Sequence, residues 1–441
     1  MLYHSLENRY KNLISFEDAV LKGLSPDGSL YIPVSIPKLD TKFIHKLKSY
    51  DIDTIAMSII SPYIGKSIPE EVIYRIIHNT LNFSFPLKKI HDHIHVLELF
   101  HGPTLAFKDL GAQFMAECLS FFSRKKEKNV TVLVATSGDT GGAVAKGFHK
   151  KTGIEVIILY PYNGISCLQK KQITSLGDNI LALEIHGNFD DCQNMVKKAF
   201  LDKEIQKKYI LTTANSINIS RWLPQMFYYF LAYRQIKIEN PIELIFSVPS
   251  GNFGNICAGM MAEKMGLPIK FFIASTNIND TIPRFLKSEK YHPYSVKKTI
   301  SNAMDIANPS NFSRIWSFLY KKNMYQLRKK LCSYQFTDEE TLSIIKTVWK
   351  KYKYILDPHG AIGYLGLTQY LQETKNNSSK TAIFLETAHP IKFADHIPPF
   401  LRKKIIIPNK LKLFLETKHK IKKTSLSNNF NIFKSWLLER K

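Results

Sequence analysis

Short apolar runs rich in β-branched residues alternate along the chain with segments of helical spacing. The runs at 130–135, 154–161 and 268–276 are typical of buried strands. Residues 242–266 have the pattern of a strand, a glycine-rich turn and a helix, and 381–390 that of a late strand and turn. This alternation predicts an α/β fold with buried, mainly parallel sheets.

The two ends of the chain lack the alternation. Residues 1–95 contain amphipathic stretches of helical spacing and a turn, SPDGSLYIP, in which Asp27 and Gly28 can supply a positive φ. Beyond His396 the chain becomes basic and strand patterns disappear. We therefore expect a C-terminal helix or a loosely held tail.

The formal net charge of +24 would suit a nucleic-acid-binding protein. Much of the excess is C-terminal, because residues 401–441 contain twelve Lys or Arg and two Glu. The chain has no zinc-finger spacing and no aromatic RNA-binding box. A compositional bias is the favoured explanation, and no nucleic-acid partner is expected.

The five cysteines indicate a reducing compartment, since no two are close and no CxxC occurs. Neither a disulfide framework nor a zinc ribbon is predicted. The N-terminus lacks an apolar signal region, and no apolar run is long enough to span a membrane. A cytoplasmic protein without a membrane partner is expected.

A lysine, Lys108, interrupts the apolar and small residues of LELFHGPTLAFKDLGAQFM (97–115). Its stem could pack on apolar surface while the ammonium reaches water, or it could pair with Asp109. Alternatively, a partly desolvated lysine loses its proton easily and becomes a nucleophile for carbonyl carbons.

Two glycine-rich turns follow predicted strands, where open parallel sheets bind ligands. ATSGDTGG (135–142) offers Ser137, Thr140 and helix-start N–H groups to a carboxylate or phosphate, although a tight strand-to-helix connection would look the same. VPSGNFGN (248–255) places two glycines and the Asn255 side chain at a helix N-terminus, which suits a phosphate.

Two further segments offer ligand contacts. TAHP (387–390) supplies a hydroxyl and an imidazole after a strand, or is simply a turn. ANSINISR (214–221) combines donors that suit an anion, although an ordinary helix cap would look similar: Ser216, Asn218 and Arg221. A reactive lysine, a phosphate cradle and a carboxylate-type loop together suggest pyridoxal phosphate.

The chain also resembles the threonine synthase family, in its longer bacterial and fungal type. The resemblance runs along nearly the whole chain and is carried, in order, by SFEDAVLKGLSPDGSLYIP, LELFHGPTLAFKD, ATSGDTGGAVA, GNFDDCQNMVKKAF, ANSINISR, SVPSGNFGN, NINDTIPRFL, SNAMDIANPSN and TAHPIKF. One departure is Asn163, which stands where glycine is common in the family.

The resemblance implies the tryptophan-synthase-β-like fold of pyridoxal-phosphate enzymes, called fold type II. In this fold two α/β lobes of mainly parallel sheet hold the cofactor between them, here with an N-terminal extension. The parts implied are an N-terminal threonine-synthase domain (1–95), a two-lobed catalytic core (96–395) and a basic C-terminal segment (396–441).

The resemblance also assigns site residues. Lys108 matches the family's Schiff-base lysine, and Thr387 matches the residue that faces the pyridine nitrogen. The cofactor-phosphate loop corresponds to Gly251, Asn252, Phe253, Gly254 and Asn255. The loop that receives the substrate, through its α-carboxylate, corresponds to Thr136, Ser137, Gly138, Asp139 and Thr140. The residues that match the family's binding site for the substrate phosphate are Ser216, Asn218 and Arg221.

The implied reaction converts O-phospho-L-homoserine and water into L-threonine and phosphate, the last step of threonine biosynthesis. Lys108 would release the cofactor to the substrate amine and then transfer protons at Cα and Cβ. A small-molecule substrate, no metal, and a monomer or homodimer are expected. The alternatives are another pyridoxal-phosphate dehydratase or β-replacing enzyme of this fold, and a catalytically lapsed basic binding protein.

Overall fold

The computed structural model describes residues 1–7, 12–124, 126–236, 243–374, 380–416 and 424–440. The strands are β1 Tyr3–Ser5, β2 Tyr31–Pro33, β3 Leu87–His91, β4 Ile94–Glu98, β5 Val130–Ala135, β6 Ile154–Pro161, β7 Ile180–His186, β8 Ile210–Thr213, β9 Glu243–Pro249, β10 Ile269–Thr276, β11 Leu331–Gln335, β12 Lys380–Glu386 and β13 Thr424–Ser427.

The α-helices are α1 Phe16–Lys22, α2 Thr41–His45, α3 Ile52–Ile64, α4 Glu70–Thr80, α5 Lys108–Ser123, α6 Asp139–Phe148, α7 Cys167–Thr174, α8 Phe189–Leu201, α9 Lys203–Lys208, α10 Ile219–Trp222, α11 Met226–Gln235, α12 Gly254–Met265, α13 Thr281–Ser288, α14 Met324–Arg328, α15 Asp338–Tyr352, α16 Pro358–Thr374, α17 Pro399–Arg402, α18 Asn409–Glu416 and α19 Phe430–Glu439. None of the helices in the described part of the chain is long and apolar enough to cross a membrane.

Two sheets form the centres of two lobes. The smaller lobe has a five-stranded, fully parallel sheet in the order β13-β7-β6-β5-β8. The larger lobe has a six-stranded sheet in the order β11-β10-β9-β12-β4-β3, in which β3 alone of these six pairs antiparallel. The predicted two-lobed α/β architecture with mainly parallel sheets is confirmed.

The central strands match their sequence patterns because both faces of these sheets are covered. Every residue of β5 is buried, and β6 spans the same residues as its apolar run. A strand that is buried on both sides reads as a continuous apolar run rather than as an alternation. The predicted strand at 268–276 corresponds to β10, and the strand predicted with its turn at 381–390 corresponds to β12; each start differs by one residue.

The N-terminal region packs directly on the smaller lobe. The Thr212 hydroxyl of β8 donates a 2.8 Å hydrogen bond to the Val20 carbonyl of α1. The Gly28 turn has the predicted positive φ of 76°. The expected domain boundary at residue 95 falls inside β4, which is a strand of the larger sheet.

Of the two alternatives expected after His396, a C-terminal helix or a loosely held tail, the structure shows the helix, which is α19. β13 pairs in parallel with β7 at the edge of the smaller sheet, and α19 packs its Phe433 and Leu437 side chains into that lobe with no exposed surface. The sequence Thr-Ser-Leu-Ser of β13 is short and polar, which suits an edge strand but gives no strand signal.

Candidate active site

A cavity lies where β5, β9 and β12 end at their carboxyl termini, between the two lobes. Its wall includes thirteen of the fifteen residues that the family resemblance assigned, Lys108 among them. The other two, Gly138 and Asn218, are not on its wall. Open parallel sheets bind ligands at this edge.

Lys108 reaches the cavity because the segment before it pairs with the segment after β12. The Phe107 N–H donates to the Thr387 carbonyl at 2.8 Å, and the His389 N–H donates to the Leu105 carbonyl at 3.0 Å. These bonds fix the start of α5 beside Thr387. The lysine and the hydroxyl that the sequence separates by 279 positions therefore line one cavity.

The Lys108 amine is easier to deprotonate than an ordinary lysine. Burial lowers its pKa to about 8; the Asp139 carboxylate opposes this shift, and the charges of Arg221 and Lys392 add to it. This favours the nucleophile interpretation of Lys108 over snorkelling, since a lowered pKa leaves more of the amine neutral near pH 7.

The neighbouring Asp109 has its own partners. Its carboxylate accepts a 2.9 Å hydrogen bond from the Thr104 N–H and another from the Thr104 hydroxyl. Burial raises the pKa of Asp109 to about 6 despite these bonds. Asp109 therefore fixes the loop before α5.

The glycine-rich loop after β9 forms the opposite wall. α12 begins at Gly254, and Phe253 before it adopts a left-handed φ of 59°. The Asn252 side chain anchors the loop, donating to Ser216 Oγ at 3.1 Å and accepting from the Ser310 N–H at 2.6 Å. The first N–H groups of α12 point out of the helix, and with its dipole they favour an anion.

This wall has no room for a side chain at position 251, which is occupied by glycine. A Cβ at Gly251 would lie 2.7 Å from the Met304 Cα, a backbone atom that cannot give way. Asn255 follows the loop with its Oδ1 fixed by the Tyr229 hydroxyl at 2.9 Å, so its Nδ2 is the group left for a ligand.

The loop after β5 folds around the Thr136 hydroxyl. Thr136 Oγ1 accepts hydrogen bonds from the Gly138 N–H at 2.9 Å and the Gly141 N–H at 2.8 Å. Gly138 has a φ of 130° and lies against the Gln169 side chain, away from the cavity. Ser137 and Thr140 lie on the cavity wall, where a carboxylate could bind.

Asp139 of this loop is held by a residue that sequence reasoning missed. Lys392 Nζ lies 2.8 Å from Asp139 Oδ1, and the Gln169 amide donates to the same oxygen at 2.9 Å. Burial would raise the pKa of Asp139, but the charges of Lys392 and Lys108 hold it well below its usual range. Lys392 lies in the TAHPIKF motif, so the family resemblance is the sequence feature that could have identified it.

Of the three residues expected to bind the substrate phosphate, two line the cavity and one does not. Ser216 and Arg221 line the cavity. Arg221 donates to the Ala214 carbonyl at 2.5 Å, and burial lowers its pKa to about 10, so it stays charged. Asn218 instead caps α10 and donates to the Val20 carbonyl at 2.9 Å, with no exposed surface.

The turn after β6 caps the helix that follows it. Ser166 and Gln169 form a capping box at the start of α7, and the Gln169 amide group turns towards Asp139. Asn163, the departure from the family pattern, has a φ of 53°, a left-handed conformation that glycine and asparagine both tolerate.

Four residues of the cavity wall each have a polar side-chain atom that is buried without a hydrogen-bond partner among the described residues: Arg221 Nε, Gln225 Oε1, Asn255 Nδ2 and His359 Nε2. Buried polar atoms are normally paired, so these indicate a polar ligand. An arginine, a helix N-terminus and an amide donor fit a phosphate, and a desolvated amine fits an aldehyde. The site therefore fits pyridoxal phosphate.

Comparison with known proteins agrees with the geometry. The family model "Pyridoxal-phosphate dependent enzyme" matches residues 81–387, and "Threonine synthase N terminus" matches residues 2–81. The chain is 43% identical to a threonine synthase of Buchnera aphidicola (strain APS), with 100% of both chains covered. It is 41% identical to a threonine synthase of Escherichia coli (strain K12), covering 90% of this chain and 91% of that protein.

Solved structures show the same similarity. The crystal structure of an Escherichia coli threonine synthase superposes with a TM-score of 0.92 at 38% identity over 100% of both chains. A pyridoxal-phosphate-bound threonine synthase from Brucella melitensis gives a TM-score of 0.89 at 34% identity, covering 99% of both chains. A tomato threonine deaminase, at 14% identity, a TM-score of 0.53 and covering 79% of this chain and 94% of that one, shares the fold.

Proposed function

We propose that this chain, which belongs to the threonine synthase family of pyridoxal-phosphate-dependent enzymes, converts O-phospho-L-homoserine and water into L-threonine and phosphate. The observation that carries the proposal is the meeting of Lys108, the Gly251–Asn255 loop and Thr387 in one cavity between the lobes. Arg221 on the same wall supplies a second anion-binding group, as a phosphorylated substrate requires.

The cofactor would be held at three places. Lys108 Nζ would bind its aldehyde carbon covalently, the N-terminus of α12 with Asn255 would bind its phosphate, and Thr387 would face its ring nitrogen. When bound, pyridoxal phosphate supplies a carbonyl for the substrate amine and a conjugated ring that withdraws electrons from Cα.

The substrate would be oriented by groups at its two ends. Ser137, Thr140 and the N–H groups at the start of α6 would bind the α-carboxylate. Ser216 and Arg221 would bind the phosphate, which leaves from Cγ. Fixing both ends places Cα and Cβ within reach of Lys108 and saves orientational entropy at the reacting atoms.

Lys108 would move the protons. Its amine would accept the proton from Cα and then transfer protons at Cβ, where water adds. A pKa of about 8 suits this work, because the group can hold and give up a proton near neutral pH.

We also propose that the enzyme is cytoplasmic and works as a monomer or homodimer without a metal. The free thiols of all five cysteines support a reducing compartment. Light scattering on purified protein would establish the number of subunits.

The reaction is tested by supplying the purified enzyme with O-phospho-L-homoserine and, separately, with L-threonine. We expect threonine and phosphate from the first in equal amounts. Keto acid from threonine, without phosphate release from phosphohomoserine, would identify a dehydratase instead.

Borohydride reduction followed by peptide mapping tests the site. The cofactor should be fixed on Lys108, and a label on another lysine would overturn the assignment. Lys108→Arg keeps the charge but should lose turnover and labelling, because a guanidinium does not bond to the aldehyde.

A further inference from the structure

His359 lies on the wall of the active-site cavity together with Lys108 and Thr387. It is the second residue of α16, and only 2% of its surface is exposed. The proposed mechanism uses neither His359 nor the residue that holds it, and the sequence motifs gave it no role.

Asp357 fixes the imidazole ring of His359. Its Oδ1 lies 2.6 Å from His359 Nδ1 and also accepts the His359 N–H at 2.8 Å. Oδ2 accepts the Gly360 N–H at 3.3 Å, so the same carboxylate caps α16. The Phe393 ring packs edge-on, 4.7 Å from the imidazole between centroids. The ring therefore has little freedom to turn.

A second carboxyl group, Glu386, lies beside Asp357. Burial and the Asp357 charge raise the pKa of Glu386 well above its usual range, which favours its neutral form. Its Oε1 accepts the Asp357 N–H at 2.5 Å. Asp357 therefore contacts Glu386 through its backbone and His359 through its side chain.

The other ring nitrogen, Nε2, is buried without a hydrogen-bond partner among the described residues, and His359 lies on the cavity wall. Leaving a buried polar group unpaired costs free energy, and here the unpaired atom belongs to a ring that the Asp357 side chain holds in place. A fixed ring on a cavity wall with one nitrogen unpaired is an arrangement in which a histidine can contact a ligand.

We propose that His359 is a ligand-contacting residue of this site, in which Nε2 makes a hydrogen bond to bound pyridoxal phosphate and Asp357 acts as the positioning residue. The proposal rests on the proposed cofactor site but not on the identity of the substrate.

The test is a titration of the cofactor-free protein with pyridoxal phosphate, followed by absorbance, with no substrate present. His359→Asn removes the hydrogen-bonding group from the Nε2 position, whereas His359→Gln returns one at a similar reach. We expect a Kd at least tenfold higher and a shifted absorption maximum for the Asn variant. The Gln variant should stay within threefold. His95→Gln, on β4 and outside the cavity wall, is the matched control.

Asp357→Asn supports the test because asparagine caps helices as well as aspartate does. It should keep the melting temperature nearly unchanged and raise the Kd severalfold, and it decides the matter if His359→Asn does not fold. An unchanged Kd and absorption maximum in the His359→Asn enzyme would overturn the proposal, as would an equal loss in the Asn and Gln variants or an unaffected Asp357→Asn. Threonine formation by the unsubstituted enzyme, measured separately, tells failure of this proposal from failure of the proposed function.

Discussion

Lys392 and Asp139 form a buried ion pair that joins the two lobes, with Nζ 2.8 Å from Oδ1. Lys392 follows β12 of the larger sheet, and Asp139 begins α6 behind β5 of the smaller one. The Thr104 carbonyl accepts a second hydrogen bond from the same ammonium at 2.8 Å. The pair thus holds the loop that would bind the substrate carboxylate, beside Lys108.

Replacing Lys392 with Met should destabilise the enzyme by about 3 kcal/mol, because it leaves a buried carboxylate without its partner. It should also raise KM for phosphohomoserine severalfold, since the loop loses its anchor. Urea unfolding and steady-state kinetics would measure both effects.

Lys392→Arg should recover part of each loss. Lys434→Met is the control, because Lys434 pairs with Asp202 at the surface, where ion pairs contribute little. A Lys392→Met enzyme with unchanged stability and KM would show that the pair is dispensable.

The lowered pKa of Lys108 predicts how cofactor capture depends on pH. At a pKa of about 8, roughly a tenth of the amine is neutral at pH 7 and roughly nine tenths at pH 9. The rate at which cofactor-free protein captures pyridoxal phosphate should therefore rise about tenfold over that interval and then level off.

Stopped-flow absorbance would measure this profile. Since the Lys392 charge helps to lower the pKa of Lys108, Lys392→Met should move the midpoint to higher pH. An ordinary lysine would instead give a rate that still climbs steeply at pH 9, and that result would exclude the desolvated amine.

Asn255→Asp tests the phosphate cradle. The Tyr229 hydroxyl could still donate to the new carboxylate, so the fold should be kept. A negative charge at the cofactor phosphate should raise the Kd for pyridoxal phosphate by about 100-fold, because like charges in contact cost several kcal/mol.

Asn255→Ala removes the donor without adding a charge, and we expect a loss of about tenfold. Equilibrium titration of the cofactor-free variants gives both values. Equal affinities for the Asp and Ala variants would place the phosphate elsewhere.

The sequence predicted the parts of this protein whose signals are local. The run IEVIILYP forms β6 because a strand covered on both faces must be apolar throughout, and α12 begins at Gly254, where the glycine spacing indicates a turn. Lys392 could not be found this way, since its partner lies 253 positions away and only folding brings the two together.

Other features could not be predicted from the sequence, for related physical reasons. The role of His359 depends on which way one ring nitrogen points, which no sequence pattern encodes. The donor types of ANSINISR and the family resemblance group Asn218 with Ser216 and Arg221. In the fold its side chain turns away from theirs, to the start of α10.

Asn218→Ala tests whether Asn218 has a structural role, in contrast to Ser216 and Arg221, which line the cavity. The side chain caps α10, accepting from the Ser220 N–H at 3.1 Å, and binds the Val20 carbonyl. Its loss should cost about 2 kcal/mol of stability through the missing cap and an unpaired carbonyl. KM for phosphohomoserine should change less than twofold. A raised KM at full stability would instead place Asn218 among the substrate-binding residues.

The docking of the C-terminal helix gives the last prediction. Phe433 of α19 has no exposed surface and packs with Leu437 against the smaller lobe, whereas Ile432 on the same helix is 48% exposed. Phe433→Ala should destabilise the protein by about 3–5 kcal/mol, since a buried phenyl ring leaves a cavity. Ile432→Ala, the control, should change stability little.

Urea unfolding measures the two variants, and hydrogen exchange locates the change. Faster exchange in β7, to which β13 is paired, should accompany Phe433→Ala, because the edge strand is held to the sheet by the helix that follows it. If both variants unfold like the unsubstituted enzyme and β7 exchanges no faster, the C-terminal segment adds nothing to the lobe. It would then behave as the loosely held tail that was the other expectation from its composition.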